Sequence, residues 1–224
     1  RGGQADGMTD ANKKAEIKPA ATILLLRDKP TFEVLMVERH HQIDFASGAL
    51  VFPGGKWHDA DHDPAWNDHL IGGGDLDSDQ RALRIAAIRE VFEEAGVLLA
   101  RTAEGAMFAG EAASMEVRAA VDRGETSFLD VVKGLGVRLD LNALTVFARW
   151  ITPAMMPKRF DTWFYLAVAP EDQLAACDGR ETVDATWITS GQVIPHRPPS
   201  IQNVISGRCL RGSARYLSTP VPEV

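Results

Sequence analysis

The chain has 224 residues, of which 45% are hydrophobic and 25% charged, enough to bury the core of one large domain, or of one domain with insertions. A formal net charge of -7 and a pI near 5.4 argue against non-specific binding to nucleic acid or an anionic membrane, which needs a basic face. The longest apolar runs, such as ATILLL at 21–26, fall far short of the roughly 20 residues that span a bilayer.

Cys177 and Cys209 are the two cysteines, too few for a disulfide scaffold, so a reducing compartment and a cytoplasmic location are expected. Residues 1–18 read as a polar, disordered lead-in. Within it RGGQADG (1–7), ahead of Met8, is set aside as an expression remnant, and nothing there has the basic-then-apolar layout of a secretory signal. A single domain is expected over 19–224.

In chain order, AATILLLRD and TFEVLMVER flank Asp28, Lys29 and Pro30 and read as a β-hairpin. ALVFPGG is a short apolar run stopped by Pro53, Gly54 and Gly55, a loop able to turn backbone groups toward a ligand. Lys56 to Ser78 is rich in Asp, His and Gly and reads as an exposed insertion of low order. Helical periodicity then runs from about Asp79 to Gly96, with Gly96 as the C-terminal cap. Residues 111–135 read as two short helices broken at Gly124, with Ser127 and Asp130 in capping-box spacing. LTVFARWITP, FDTWFYLAVAP and ATWIT read as strands, and PSIQNVISGRCL as a helix starting at Ser200.

The helix ending at Gly96 carries the informative cluster. Ile85, Ile88, Val91, Phe92 and Ala95 fall on one side, whereas Glu90, Glu93 and Glu94 share an arc of about 100° on the other. A solvated acidic face is the ordinary reading of such a run. Three features oppose it. Each like-charge pair at this spacing costs roughly 0.2–0.5 kcal/mol, with Arg89 alone nearby to offset it. The last turn is also the negative end of the helix dipole, and VFPGG upstream supplies a loop of free backbone groups. A bound hard cation removes the first two penalties. Carboxylates without cysteine select Mg²⁺ or Mn²⁺ over zinc, and Mg²⁺ keeps water positions that phosphate oxygens can take.

Arg89-Glu90-Val91-Phe92-Glu93-Glu94-Ala95-Gly96-Val97 resembles the second half of the Nudix hydrolase box, G-x5-E-x7-R-E-U-x-E-E-x-G-U with U aliphatic, and matches it without exception. Counting from Gly55, Asp61 stands where the family has Glu, and 27 residues, 62 to 88, then separate it from Arg89 instead of seven. The stretches VERHHQIDFASGALVFPGG, WITP and RFDTWFYLA are more closely similar to the subgroup related to peroxisomal coenzyme A diphosphatases, which also has a lengthened box. That likeness extends over most of 20–190. The ending VPEV does not read as a peroxisomal address, so the chemistry rather than the compartment is expected to carry over.

The resemblance implies an α/β fold, an α/β/α sandwich around a central mixed sheet, with insertions at 62–78, inside the box, and at 100–143, a helical segment. It implies Glu93 and Glu94 as metal ligands, Glu90 as a further ligand or general base, the Gly55 carbonyl in the inner shell, and Arg89 orienting the loop. Glu181, six residues before Trp187, is placed like the extra metal-binding Glu that some Nudix enzymes carry, and is a second candidate base. The implied reaction is Mg²⁺- or Mn²⁺-dependent hydrolysis of a diphosphate bond in a nucleoside-diphosphate-linked small molecule, such as coenzyme A or an acyl derivative. ADP-ribose or nucleotide-sugar hydrolysis, and non-catalytic sensing of a nucleotide ligand, are the alternatives. Arg39, Lys56 and Arg159 are candidate substrate contacts, and Trp57, Phe160 and Trp163 candidate stacking groups. The helical segment is read as a lid, a specificity wall or the surface of a homodimer. WHDADHD, with His58, Asp59, Asp61, His62 and Asp63, is a rival zinc or manganese site.

Overall fold

The computed structural model describes residues 15–28, 30–39, 49–110, 112–173, 175 and 182–189. Strand β1 (Ile17–Arg27) begins inside the expected lead-in and is the spine of the sheet. Ala21, Ile23 and Leu25 alternate along it and are fully buried, as the two-residue period of a strand requires. Strand β2 (Glu33–Arg39) pairs antiparallel with the end of β1, Leu26 opposite Val34, so the expected hairpin is present.

The hairpin then splays, and the chain that follows wedges into it. β3 (Leu50–Val51) pairs with β2, and β4 (Gly54–Lys56) pairs with β1, Gly55 opposite Ala21. Pro53 marks the crossing, its carbonyl accepting from Ile23 N at 2.9 Å. VFPGG is thus strand on both sides of Pro53, where the sequence suggested only loop. Two glycines cost a strand entropy, but a side chain on Gly54 would collide with the β1 backbone at Ala21 and Thr22.

Beyond β4 the chain is ordered, contrary to the expectation for Lys56–Ser78. Two 3₁₀ turns, Asp59–His62 and Pro64–His69, lead into β5 (Leu70–Ile71). Trp66 anchors them: it is 2% exposed, and its indole N–H donates to Ala60 O at 2.9 Å. Asp63 Oδ1 caps the second turn, accepting from Ala65 N at 2.8 Å.

Helix α1 (Ser78–Ala95) starts at the cap Asp77 and stops at Gly96, which lies at φ 72° with its N–H on Phe92 O, a left-handed cap. Its apolar side packs on β1. β6 (Ala100–Arg101), α2 (Met115–Asp122), α3 (Phe128–Leu135) and β7 (Arg138–Asp140) follow. The two helices flank Gly124 as the sequence indicates, and Ser127 caps α3 at Asp130 N. Residues 100–143 are not purely helical, because β7 lies between β5 and β6 in a separate three-stranded sheet. Rings join this segment to α1, Phe128 lying 5.2 Å from Phe92 and 5.6 Å from Trp66.

β8 (Thr145–Ile151), β9 (Arg159–Val168) and β10 (Thr182–Thr189) complete a seven-stranded mixed sheet whose path is β10-β2-β1-β9-β8. β9 runs parallel to β1 along its length. This is an α/β fold with α1 on one sheet face; the helix expected from Ser200 lies outside the described residues. Among the described residues no helix is long and apolar enough to cross a membrane.

Candidate active site

The wedge strand β4 lies against the acidic turn of α1. Glu94 Oε2 accepts from Gly54 N at 3.1 Å. Gly55 sits directly beneath Glu90, so a Cβ there would fall 2.6 Å from Glu90 Oε2. The Arg89 guanidinium links the two elements. Its Nη2 donates to Lys56 O at 2.8 Å, and its Nη1 to Glu90 Oε1 at 2.9 Å and Glu93 Oε2 at 3.1 Å. Nε and Nη2 reach Asp61 Oδ1 and Oδ2, both at 3.2 Å. Asp61 also accepts from His58 N at 2.8 Å. One planar fork therefore fixes strand, loop and helix together, as guanidinium geometry permits and an ammonium would not.

The acids do lie opposite the apolar side of α1, yet they are not solvated. Glu90, Glu93 and Glu94 are all buried, as are Arg89 and Asp61, because β4 and the turn Asp59–His62 cover that side. Burial pushes the Glu93 carboxyl up to about 8; Arg89 opposes this, Glu90 reinforces it, and the charge of Asp122 at the end of α2 adds to it. For Arg89 burial disfavours the charge, but Glu90, Asp61 and Glu93 outweigh it and raise its pKa. The same contact thus holds Arg89 charged while giving Glu93 too little help to ionise, since Arg89 divides its donors among three carboxylates.

Other candidates are placed differently. Lys56 contributes its carbonyl, and its side chain is exposed. Arg39 closes β2 opposite Thr182. Arg159 opens β9 and its Nε donates to Thr152 O at 3.1 Å, a turn contact and not one with the α1 carboxylates. Trp163 carries the Arg149 guanidinium 5.0 Å over its ring, and the Trp57 ring is 4.5 Å from His62. Glu181 lies outside the described residues.

The WHDADHD run does not converge as a separate metal site. Asp61 faces Arg89, Asp63 caps a turn, and His62 lies 3.3 Å from Asp79. Among the described residues no three His, Cys, Asp or Glu side chains stand in metal-ligand geometry. The donor types nonetheless suit a hard divalent ion, since Glu90, Glu93 and Glu94 offer carboxylate oxygens at helical spacing beside Gly55, and an ion bound there would favour the ionised form of Glu93 that burial disfavours. Asp122 is the residue the sequence did not point to; nothing in the α2 pattern marks it, and only folding brings its charge within reach of Glu93.

A model of the NUDT19 Nudix domain matches residues 71–197, more than half of the chain. The chain belongs to this family. The Nudix domain is similar to acyl-coenzyme A diphosphatase NUDT19 of Xenopus laevis, 24% identical over 205 residues, covering 73% of this chain and 54% of that one. The protein of the same name from Homo sapiens is 28% identical over 198 residues, covering 70% and 53%. The chain thus spans about half the length of these relatives. Among solved structures, a Nudix hydrolase from Alicyclobacillus acidocaldarius superposes with a TM-score of 0.70 at 28% identity, covering 86% of this chain and 85% of that one.

Proposed function

We propose that this Nudix domain hydrolyses the diphosphate bond of a nucleoside-diphosphate-linked small molecule, of the acyl-coenzyme A class that its relatives' names indicate. The observation that carries the reading is the Arg89 fork. It brings Asp61, Lys56 O, Glu90 and Glu93 together across the lengthened box, so the insertion leaves the box intact in space.

In this reading Glu90, Glu93, Glu94 and the Gly55 carbonyl hold Mg²⁺ or Mn²⁺, with Glu181 as a further ligand or the alternative base. A divalent ion bound there neutralises charge on the bridging phosphates and lowers the pKa of water. Arg89 orients β4 and the Asp61 turn and does not touch substrate. The Glu90 carboxylate takes a proton from the attacking water; a new P–O bond forms, the bridging P–O bond breaks, and the electron pair leaves with the departing phosphate. Arg39, Lys56 and Arg159 are assigned to the substrate's anionic groups, and we place the protein in the cytoplasm, without nucleic-acid or membrane partners. A homodimer would use the surface of the 100–143 segment, where Met115 and Val117 are exposed.

The test is a turnover panel of coenzyme A, an acyl-coenzyme A, ADP-ribose and nucleoside diphosphate sugars with Mg²⁺, products identified by mass. Cleavage of the coenzyme A compounds at the diphosphate, lost in Glu94→Gln, supports the proposal. Tight binding without turnover identifies a ligand sensor instead.

A further inference from the structure

Helix α1 ends in a double closure. Gly96 supplies the left-handed cap, the device that also ends α3 at Gly136, where φ is 66°. At α1 alone of these two, a buried arginine is added. Arg118 of α2, 3% exposed, donates from Nε to Phe92 O at 3.0 Å and from Nη2 to Glu93 O at 2.8 Å. A Cβ on Gly96 would lie 2.9 Å from its Nη1, so the guanidinium lies flush against the helix end.

Burying a guanidinium is unfavourable unless its charge and donors are satisfied. Here the partial negative charge of the helix C-terminus favours the cation, and two of its donors are met there, by Glu93 O and by Phe92 O, which also accepts from Gly96 N. The position matters because Glu93 is held at both ends: its carboxylate by Arg89 at 3.1 Å, its carbonyl by Arg118 at 2.8 Å. The two arginines come from different parts of the chain, Arg118 being 25 positions from Glu93. A change in the peptide plane at Glu93 moves the Cα atoms of Glu93 and Glu94 together. The same cation also lessens the electrostatic penalty of carboxylates at the negative helix end.

We propose that Arg118, contributed by the segment between β6 and β7, is a positioning residue that sets the Glu93–Glu94 turn for the divalent ion. That segment then acts as a clamp on the acidic turn. This rests on the metal reading of the site given above, and extends it to a residue outside the box.

The test measures Mn²⁺ affinity of the full chain by calorimetry, and by electron paramagnetic resonance of free Mn²⁺, for wild type, Arg118→Met, Arg118→Lys and the surface control Arg123→Met. Arg118→Met is expected to bind Mn²⁺ at least ten-fold more weakly. Arg118→Lys, which keeps the charge but cannot bridge two carbonyls, should fall between, and Arg123→Met should match wild type. If Arg118→Met does not fold, Arg118→Lys decides. Wild-type Mn²⁺ affinity in the deciding variant overturns the assignment of Arg118 while leaving the metal site standing. A wild-type chain that does not bind Mn²⁺ overturns the metal reading itself.

Discussion

Asp61 and Arg89, 28 positions apart, meet through two 3.2 Å bonds, with side chains only 4% or less exposed. Asp61 takes Nε and Nη2 of Arg89 while Nη1 serves Glu90 and Glu93, so the two ends of the fork are tied to the loop and to the helix. Removing one partner of a buried ion pair typically costs about 3–5 kcal/mol. Asp61→Ala should lie near the lower end, about 3 kcal/mol, because Arg89 keeps two other carboxylates. Urea unfolding monitored by tryptophan fluorescence measures it; a midpoint unchanged from wild type would show that Asp61 contributes nothing to holding the loop.

Gly55 is the position where side-chain volume and site geometry compete most directly. The Cβ of Gly55→Ala has nowhere to go except the space of the Glu90 carboxylate. Overpacking of this kind costs about 1–3 kcal/mol, modest for the fold. Displacing a reacting group by about 1 Å can cost on the order of 100-fold in rate. Gly55→Ala should therefore stay folded by circular dichroism and lose at least about 100-fold in kcat, with a smaller change in KM. A variant with near-normal kcat would remove Glu90 from the reaction.

The parts legible in the sequence were those with a local period or a local stop. β1, β2, β8 and β9 announce themselves by β-branched and aromatic runs, and α1 by its apolar spacing and Gly96. The acid cluster was legible because its penalties are local: like charges at helical spacing and the wrong end of a dipole. Its burial was not, since that depends on β4, whose pairing with β1 at Ala21 and Gly55 relies on two glycines where a side chain would collide, and glycines leave no apolar pattern. The turns after β4 were misread for a related reason. Their polar composition looks solvated, yet one buried ring, Trp66, and short-range caps from Asp61 and Asp63 order them. Arg118 and Asp122 read as ordinary helix-surface charges until α2 is docked on α1.

Trp66 is accordingly the residue on which the order of the lengthened box depends. Its indole packs toward Phe128 and its N–H satisfies Ala60 O, one residue before Asp61. Trp66→Ala should destabilise by about 3–5 kcal/mol. Trp66→Phe keeps most of the packing but leaves a carbonyl unsatisfied, a cost of about 1–3 kcal/mol. Limited proteolysis should show new cleavage between residues 58 and 75 in Trp66→Ala and little in Trp66→Phe. Equal resistance in all three proteins would mean that the region is ordered by something other than this ring.

The Glu93 carboxyl makes the metal-free protein sensitive to pH in a defined direction. Its pKa is about 8 folded against an ordinary value of 4.5, so the native state binds a proton that the unfolded chain has already lost anywhere between those two values. Stability that depends on this proton is complete below about pH 4.5, declines as pH rises through the interval, and is gone above about pH 8. With EDTA present, Tm should therefore fall between pH 6 and pH 8, against the usual trend for a protein rich in ordinarily paired carboxylates. A divalent ion requires the ionised carboxylate, so it displaces the same proton, and its affinity should rise over that interval. Saturating Mg²⁺ should flatten or reverse the decline in Tm. Glu93→Gln, which cannot ionise, should abolish the decline in EDTA and the response to Mg²⁺ together. A decline that persists in Glu93→Gln would assign the titration to another group and remove Glu93 from the site's proton balance.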